Sequence, residues 1–436
     1  MHRIRSVTAY GLPLLTLCLL LACGGHPPPS RPTVPSASSA PPGLAGPPIL
    51  ILISLDGFRW DYPERADTPT LDRLAAEGVR AQRMIPVFPS KTFPNHYTLV
   101  TGLWPAEHGI LANYIYDPEF DDTFALNKVE AITDARWWGG EPIWVTAERQ
   151  GRKAATLFWP GSEAAIGGIR PSYWLPYQHD LPNEERVDQL LRWLDQDPAE
   201  RPAFLTLYMS DVDSAGHAHG PDAPETLAAI KAVDRILGRL VEGLESRGLL
   251  ASSHLIVVAD HGMAAVSPER VIVLDDYVDV DTAHPADWNP VLALWPREED
   301  TEAVYQALVN AHPHLKVYRR QDIPQRYHYR GHRRTPRILG VADAGWSIGS
   351  RQSLEESPQR YSGGTHGYDP AEPSMGALFI GHGPLFRQGV VVKPFENINV
   401  YELMCHILGL KPAKNSGSLT AVRQLLRDKN NSIGNR

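Results

Sequence analysis

Cysteine is nearly absent from this chain. Three occur in 436 residues, and two of them, Cys18 and Cys23, fall near the start, so Cys405 stands alone in the remainder. A single thiol excludes an intrachain disulfide there, which leaves core packing and bound metal as the sources of stability. A basic excess is missing as well. The formal net charge is −8, which argues against a general nucleic-acid-binding surface. A local pocket for an anion stays open, because bound cations supply charge that no residue count includes. The apolar run from Leu12 to Leu21 is too short for a comfortable membrane span. No internal repeat stands out. What is present is ordinary for a globular protein: 43% hydrophobic, 8% aromatic and 21% charged residues. That is enough for a sizeable core in one large domain or two medium ones.

The first 22 residues read as a leader, with Arg3 and Arg5 ahead of the Leu12–Leu21 run. The run ends in Leu20-Leu21-Ala22-Cys23, which resembles the bacterial lipoprotein processing box. Cys23 would then be the lipidated first residue of an exported, periplasmic or cell-envelope protein, anchored to a membrane. A plain signal peptide cut nearby is the alternative. Residues 23–48 are dense in Pro, Ser and Gly and form a tether. Residues 49–425 are expected to be the folded domain, and residues 426–436 a polar tail.

Ile49 to Leu55 is a continuous apolar, β-branched run, the mark of a strand covered on both faces. It ends in Asp56-Gly57. Similar runs lead from Ala203–Met209 to Asp213, from Leu255–Ala259 to Asp260-His261, from Ala154–Phe158 to Trp159-Pro160-Gly161, and from Ala377–Ile380 to Gly381. Helical patterns lie between them. Thr68-Pro69 starts one that runs to Gly78, with Thr68 as the cap. A second spans about Pro224 to Arg247, with Leu227, Ile230, Val233, Leu237, Leu240, Val241 and Leu244 on one face and Gly248 as the stop. Alternation of this kind implies an α/β layer fold with a largely parallel sheet and helices on both faces. Ligands bind beyond the carboxyl ends of such strands, and three strands here deliver an Asp there. The stretch from about 281 to 350 is richer in His, Arg, Pro and Tyr and reads as a less regular insertion.

Asp56, Asp213, His217, Asp260, His261 and His366 form an inventory that suits zinc, which takes oxygen and nitrogen ligands, commonly three per catalytic ion. Each has a bland reading too. An Asp after a strand is often a turn residue or cap. Asp213-x-x-Gly216-His217 reads as a loop folded round an ion, with His217 otherwise on the surface and His219 there by preference. His366 lies in a glycine-rich loop, Gly363 to Asp369. Thr92 is a candidate nucleophile, since a bound zinc favours the alkoxide, or it caps a helix. Asn113 is a hydrogen-bond donor to a phosphoryl oxygen, or a turn residue.

Taken jointly and in order, ILISLDGFRWDY, PSKTFPNHYTLVTGLWPAEHGI, WPGSE, DVDSAGHAHGP, VVADHGM and GGTHGYD resemble the nucleotide pyrophosphatase/phosphodiesterase family of the alkaline phosphatase superfamily. The likeness runs from about residue 49 to 425 and suits a bacterial, single-domain member. It implies an alkaline-phosphatase-like core and two Zn2+ ions, one held by Asp213, His217 and His366, the other by Asp56, Asp260 and His261 with Thr92 beside it. It also implies that Thr92 forms a phospho-threonine, that Asn113 binds the phosphoryl oxygens, and that Phe93, Tyr208 and Tyr177 stack a nucleobase or similar group. The substrate expected is a small nucleotide, for instance ATP cleaved to AMP and pyrophosphate by a monomer, with no sequence-specific nucleic acid as partner. Lysophospholipids or choline-type head groups are the alternative.

Two relatives are disfavoured. Sulfatases need a C/S-x-P-x-R context, which does not surround Thr92. Monoesterases of similar pattern add a Lys and an Arg after a strand, where this chain has Gly161-Ser162-Glu163. A dianionic monoester would lose those charge partners, whereas a singly charged diester would not. A non-catalytic, metal-dependent binding lipoprotein is the reading from another class.

Overall fold

The computed structural model describes residues 48–428. The leader, Cys23, the tether up to residue 47 and the tail from residue 429 lie outside the described residues. Among the described residues, eight strands form the main sheet: β1 (Ile49–Leu55), β2 (Val79–Ala81), β3 (Ala154–Leu157), β4 (Tyr173–Leu175), β5 (Phe204–Met209), β6 (Ser253–Val258), β7 (Phe379–His382) and β8 (Val390–Val392). Their spatial order is β8-β2-β7-β6-β1-β5-β3-β4. All neighbours are parallel except β7, which runs against both β6 and β2. The Ala377 run therefore does not share the plan of the others. Its strand begins at Phe379 and its end points away from the edge where the Asp residues emerge. An apolar run specifies burial, not direction.

β1 is buried at all seven positions, so it needs a cover on each face. One layer contains α1 (Pro69–Glu77) packed with the long helix Pro224–Ser246, and another contains α2 (Thr92–Thr101) packed with Val400–Leu408, which itself lies against β1. Thr68 precedes α1 as expected but makes no side-chain cap bond. Asp234 caps instead, its carboxylate accepting from the N–H groups of Thr70 (3.1 Å) and Leu71 (2.8 Å). An Asp reaching across from a neighbouring helix satisfies the same orphan donors.

The stretch read as irregular holds a four-stranded antiparallel sheet, in the order Pro285–Asp287, Val291–Leu294, Ile338–Ala342, Leu315–Arg319. Its two faces alternate as strand geometry demands. Leu292, Leu294 and Ile338 enter one apolar cluster, while Val291, Leu339 and Val341 enter another that includes Phe88 and Leu111. The strands are short and separated by Arg-, His- and Pro-rich turns, which diluted the period-2 signal.

Candidate active site

Strand register brings the acidic residues together. Leu55 pairs with Met209 and Ser54 with Val258, so β1, β5 and β6 end on one line. Asp56 follows β1 directly, its N–H donating to the Met209 carbonyl at 2.9 Å. Asp260 lies two residues past β6. Asp213 sits in the first turn of α3 (Asp211–His219), which follows β5. The segment expected as a loop round an ion is thus a helix, and its four-residue spacing puts Asp213 and His217 on one face. Gly216 is needed there for packing: a Cβ would approach Met263 Cε to 2.9 Å. Gly57 serves the other side. It has φ +67°, and a Cβ there would lie 2.9 Å from Asp213 Cα. Only glycine lets β1 turn so close beneath Asp213.

Asp56 and Asp260 are each held by one oxygen and present the other. Tyr208 Oη donates to Asp56 Oδ2 at 2.6 Å and the Gly57 N–H to Asp260 Oδ1 at 3.2 Å. Asp56 Oδ1, Asp260 Oδ2 and Asp213 Oδ1 are buried without any hydrogen-bond partner. The histidines follow the same logic. His217, His261 and His366 each set Nδ1 at 2.9 Å from a backbone carbonyl, of Gly364, Gly262 and Ser90 respectively. A carbonyl accepts only, so Nδ1 carries the proton and the Nε2 lone pair is free. Those Nε2 atoms face the orphan oxygens: His217 and His366 at 3.5 and 3.7 Å from Asp213 Oδ1, His261 at 3.4 Å from Asp56 Oδ1 and 2.9 Å from Asp260 Oδ2.

This donor set fits divalent cations. Asp213, His217 and His366 offer ligand atoms all within 4.8 Å of one another, and so do Asp56, Asp213 and His261. Burial, and then the carboxylates of Asp260 and Asp213, push the Asp56 carboxyl well above its ordinary range. Burial, then His261 and His217, push the His366 imidazole well below its ordinary range, which keeps it neutral with a lone pair to donate. A cation between crowded buried carboxylates of this kind relieves their desolvation and mutual repulsion.

Thr92 opens α2 as its first helical residue, preceded by Lys91 at the cap position. It is no cap. Its Oγ1 lies 3.3 Å from His261 Nε2, at the helix end whose partial positive charge favours an anion. Asn113 Oδ1 accepts from the Phe93 N–H at 3.0 Å, which fixes the amide and leaves its NH2 to donate. Phe93 packs edge-on against Phe124 at 5.6 Å. Tyr177 is 44% exposed, with its ring 6.3 Å from that of Tyr208. Tyr208 is buried and its hydroxyl is committed to Asp56. His219 is exposed, as expected.

Sequence reasoning missed two residues. His96, one helical turn after Thr92, is fully buried; Nδ1 meets the Thr92 carbonyl at 2.9 Å and Nε2 meets Ser54 Oγ at 2.8 Å. It also comes within 3.4 Å of Asp260 Oδ2 and groups with Asp56 and Asp260 as a possible ligand. With both ring nitrogens engaged, it holds the first turn of α2 to β1 rather than offering a lone pair. Lys91 pairs with buried Asp287, tying the residue before Thr92 to the inserted sheet. The i+4 spacing of Thr92 and His96 was readable; the Lys91 partner lies 196 positions away and was not.

Comparison with known proteins gives a consistent picture. The sequence profile of the type I phosphodiesterase/nucleotide pyrophosphatase family matches residues 50–369. A venom phosphodiesterase of Naja atra is 41% identical over 404 residues, 90% of this chain and 48% of that protein. The chain thus spans about half the length of the venom enzymes that it matches. Ectonucleotide pyrophosphatase/phosphodiesterase family member 5 of Homo sapiens is 37% identical over 378 residues, 86% of this chain and 78% of that protein. The structure of the murine member 5, as an inactive Thr-to-Ala variant in complex with AMP, superposes with a TM-score of 0.83 at 37% identity, covering 87% of this chain and all of that one. The fold is therefore alkaline-phosphatase-like, with a mostly parallel sheet.

Proposed function

The chain belongs to the type I phosphodiesterase/nucleotide pyrophosphatase family, and from that premise we propose that it is a two-zinc hydrolase of nucleotide phosphodiester or pyrophosphate bonds that works through a phospho-threonine at Thr92. One observation carries this reading: orphan carboxylate oxygens and free imidazole nitrogens converge beside a hydroxyl at a helix start. Asp213, His217 and His366 would hold one ion, and Asp56, Asp260 and His261 the other. Bound zinc supplies Lewis acidity, which lowers the pKa of a neighbouring hydroxyl and draws charge from phosphoryl oxygens. Oxygen and nitrogen donors without thiolate suit zinc.

Thr92 Oγ1, having lost its proton, attacks phosphorus. The bond from phosphorus to the leaving oxygen breaks with its electron pair, and water returns a proton to that oxygen. Water then cleaves the threonyl ester, releasing the nucleotide and restoring the hydroxyl. The Asn113 NH2 donates to a non-bridging oxygen whose charge grows in each step. His96 holds the Thr92 carbonyl and so the first turn of α2. Phe93 and Tyr177 flank the side on which a nucleobase would rest.

A diester is favoured over a monoester. Lys91, the basic residue next to Thr92, is neutralised by Asp287. Glu163 stands where monoesterases carry cations, and its carboxylate accepts from the Tyr177 N–H at 3.2 Å. A second negative phosphate charge would find no partner in either. An AMP-bound relative supports a nucleotide over a lipid. No helix among the described residues is long and apolar enough to cross a membrane; the leader and Cys23 support an exported, lipid-anchored bacterial protein. Turnover of the p-nitrophenyl ester of thymidine 5′-monophosphate, p-nitrophenyl phosphate and a lysophospholipid tests the proposal. Thr92→Ala should abolish diester cleavage while the fold and bound zinc persist. Faster turnover of the monoester than of the diester would refute it.

A further inference from the structure

A cavity of about 810 Å³ opens beside the candidate metal cluster, and Phe93, Tyr177 and Tyr208 are not among the residues that line it. At its inner end stand Asn113, His217 and His366. Its outer wall comes from the inserted region and the helix after it, with Trp288, Glu356 and Arg360 among the contributors. Thr92 attacks from the His261 side. In-line displacement sends the leaving oxygen to the side of phosphorus away from Thr92, and the path assigned to it runs past His217 and His366 into this cavity.

The charges on the wall decide what can follow that oxygen. Outside the metal ligands, the lining cations are Lys91 and Arg360 and the lining anions are Asp287 and Glu356, which cancel. Lys91 is already paired with Asp287 in a nearly buried contact. Gln352 donates to Glu356 at 2.9 Å and leaves its charge in place. A pyrophosphate leaving group carries its outer phosphate beyond reach of the metal cluster, into a space with no surplus cation to replace its hydration. An uncharged nucleoside meets no such penalty, and the partly buried ring of Trp288 and the exposed ring of Tyr114 provide apolar surface for it.

Resting on the proposed phosphodiesterase reading, we propose that this cavity is the leaving-group subsite and that its charge balance selects a neutral nucleoside over pyrophosphate. Trp288 and Glu356 are its specificity determinants.

The test compares three substrates sharing a thymidine 5′-phosphoryl half: the p-nitrophenyl ester, a dinucleoside monophosphate whose leaving group is a nucleoside, and the nucleoside triphosphate. Dividing each kcat/KM by that of the p-nitrophenyl ester cancels losses of folded or metal-loaded protein. The dinucleoside ratio should exceed the triphosphate ratio by about tenfold or more. Trp288→Ala should lower the dinucleoside ratio about tenfold. Glu356→Lys, which replaces a negative charge by a positive one at an exposed position, should raise the triphosphate ratio about tenfold. A triphosphate ratio equal to or above the dinucleoside ratio, or ratios that neither variant moves, overturns the subsite. Absence of turnover on the p-nitrophenyl ester itself overturns the phosphodiesterase reading, and this inference with it.

Discussion

Tyr208→Phe separates two roles for one ring. As a stacking platform, Tyr208 would lose nothing on becoming Phe, since the apolar face is unchanged. The structure instead commits its hydroxyl to Asp56 Oδ2 at 2.6 Å, in a fully buried contact. That carboxylate has no partner at Oδ1, so without Tyr208 neither oxygen is held. A hydrogen bond to a charged group contributes about 1.5–3 kcal/mol. The loss corresponds to roughly 10- to 100-fold in metal affinity, the range found for partners that orient metal ligands. Its sign on pH also follows. Burial and the neighbouring carboxylates raise the Asp56 pKa, and the Tyr208 hydrogen bond opposes them. Removing that bond raises the pKa further, so Asp56 takes up a proton at higher pH and metal retention on the acid side fails earlier. The assay is zinc retention against a graded chelator across pH, beside kcat/KM on the p-nitrophenyl diester. Wild-type zinc affinity and an unmoved acid limb in Tyr208→Phe would refute the positioning role and restore the stacking one.

Gly57→Ala forces a side chain into φ +67° against the backbone of Asp213. Shifting that ligand should lower kcat/KM by about 100-fold, measured on the diester at saturating zinc. Asn113→Asp keeps the shape of the side chain but removes the donor and adds a charge facing the phosphoryl oxygens. It should cost on the order of 100- to 1000-fold in kcat, with zinc content by metal analysis unchanged. Asp117→Asn breaks the buried contact that holds Arg334 of the inserted region, at about 3 kcal/mol and about 4 °C in Tm for a domain of this size. Burial works to raise the Asp117 pKa, but hydrogen bonds from Arg333 and Arg334 outweigh it and bring it to about 2. That contribution is complete above the unfolded value near 4 and fades as pH falls towards 2, so the deficit of Asp117→Asn against wild type in thermal melts should shrink over the same window.

Much of the fold was legible because its signals are local. A buried strand announces itself by unbroken apolar residues, as in Ile49–Leu55, and a long amphipathic helix by its period, as in Pro224–Ser246. The candidate ligands were legible because Asp and His after such strands fall where parallel sheets bind, and the joint motif pattern tied them to Thr92. Direction, register and distant partners were not local. Whether the Phe379 strand runs with or against its neighbours depends on pairings that no run of residues encodes. The inserted sheet hid behind charged turns, because its two apolar faces appear only when the strands are laid side by side. Asp234 capping α1, Tyr208 holding Asp56 and Asp287 holding Lys91 each join residues more than 150 positions apart.

By itself, then, the sequence determined which residues have the chemistry for a metal-dependent phosphoryl site, and which strands would carry them. Tertiary structure decided which atom of each residue is available. Hydrogen bonds to distant parts of the chain tie one oxygen of Asp56, one of Asp260 and Nδ1 of His217 and of His366, while the adjacent Gly262 carbonyl ties Nδ1 of His261, and the other atom of each is thereby turned towards its neighbours. Hydrogen-bond geometry belongs to the packed chain, and no spacing of residues contains it.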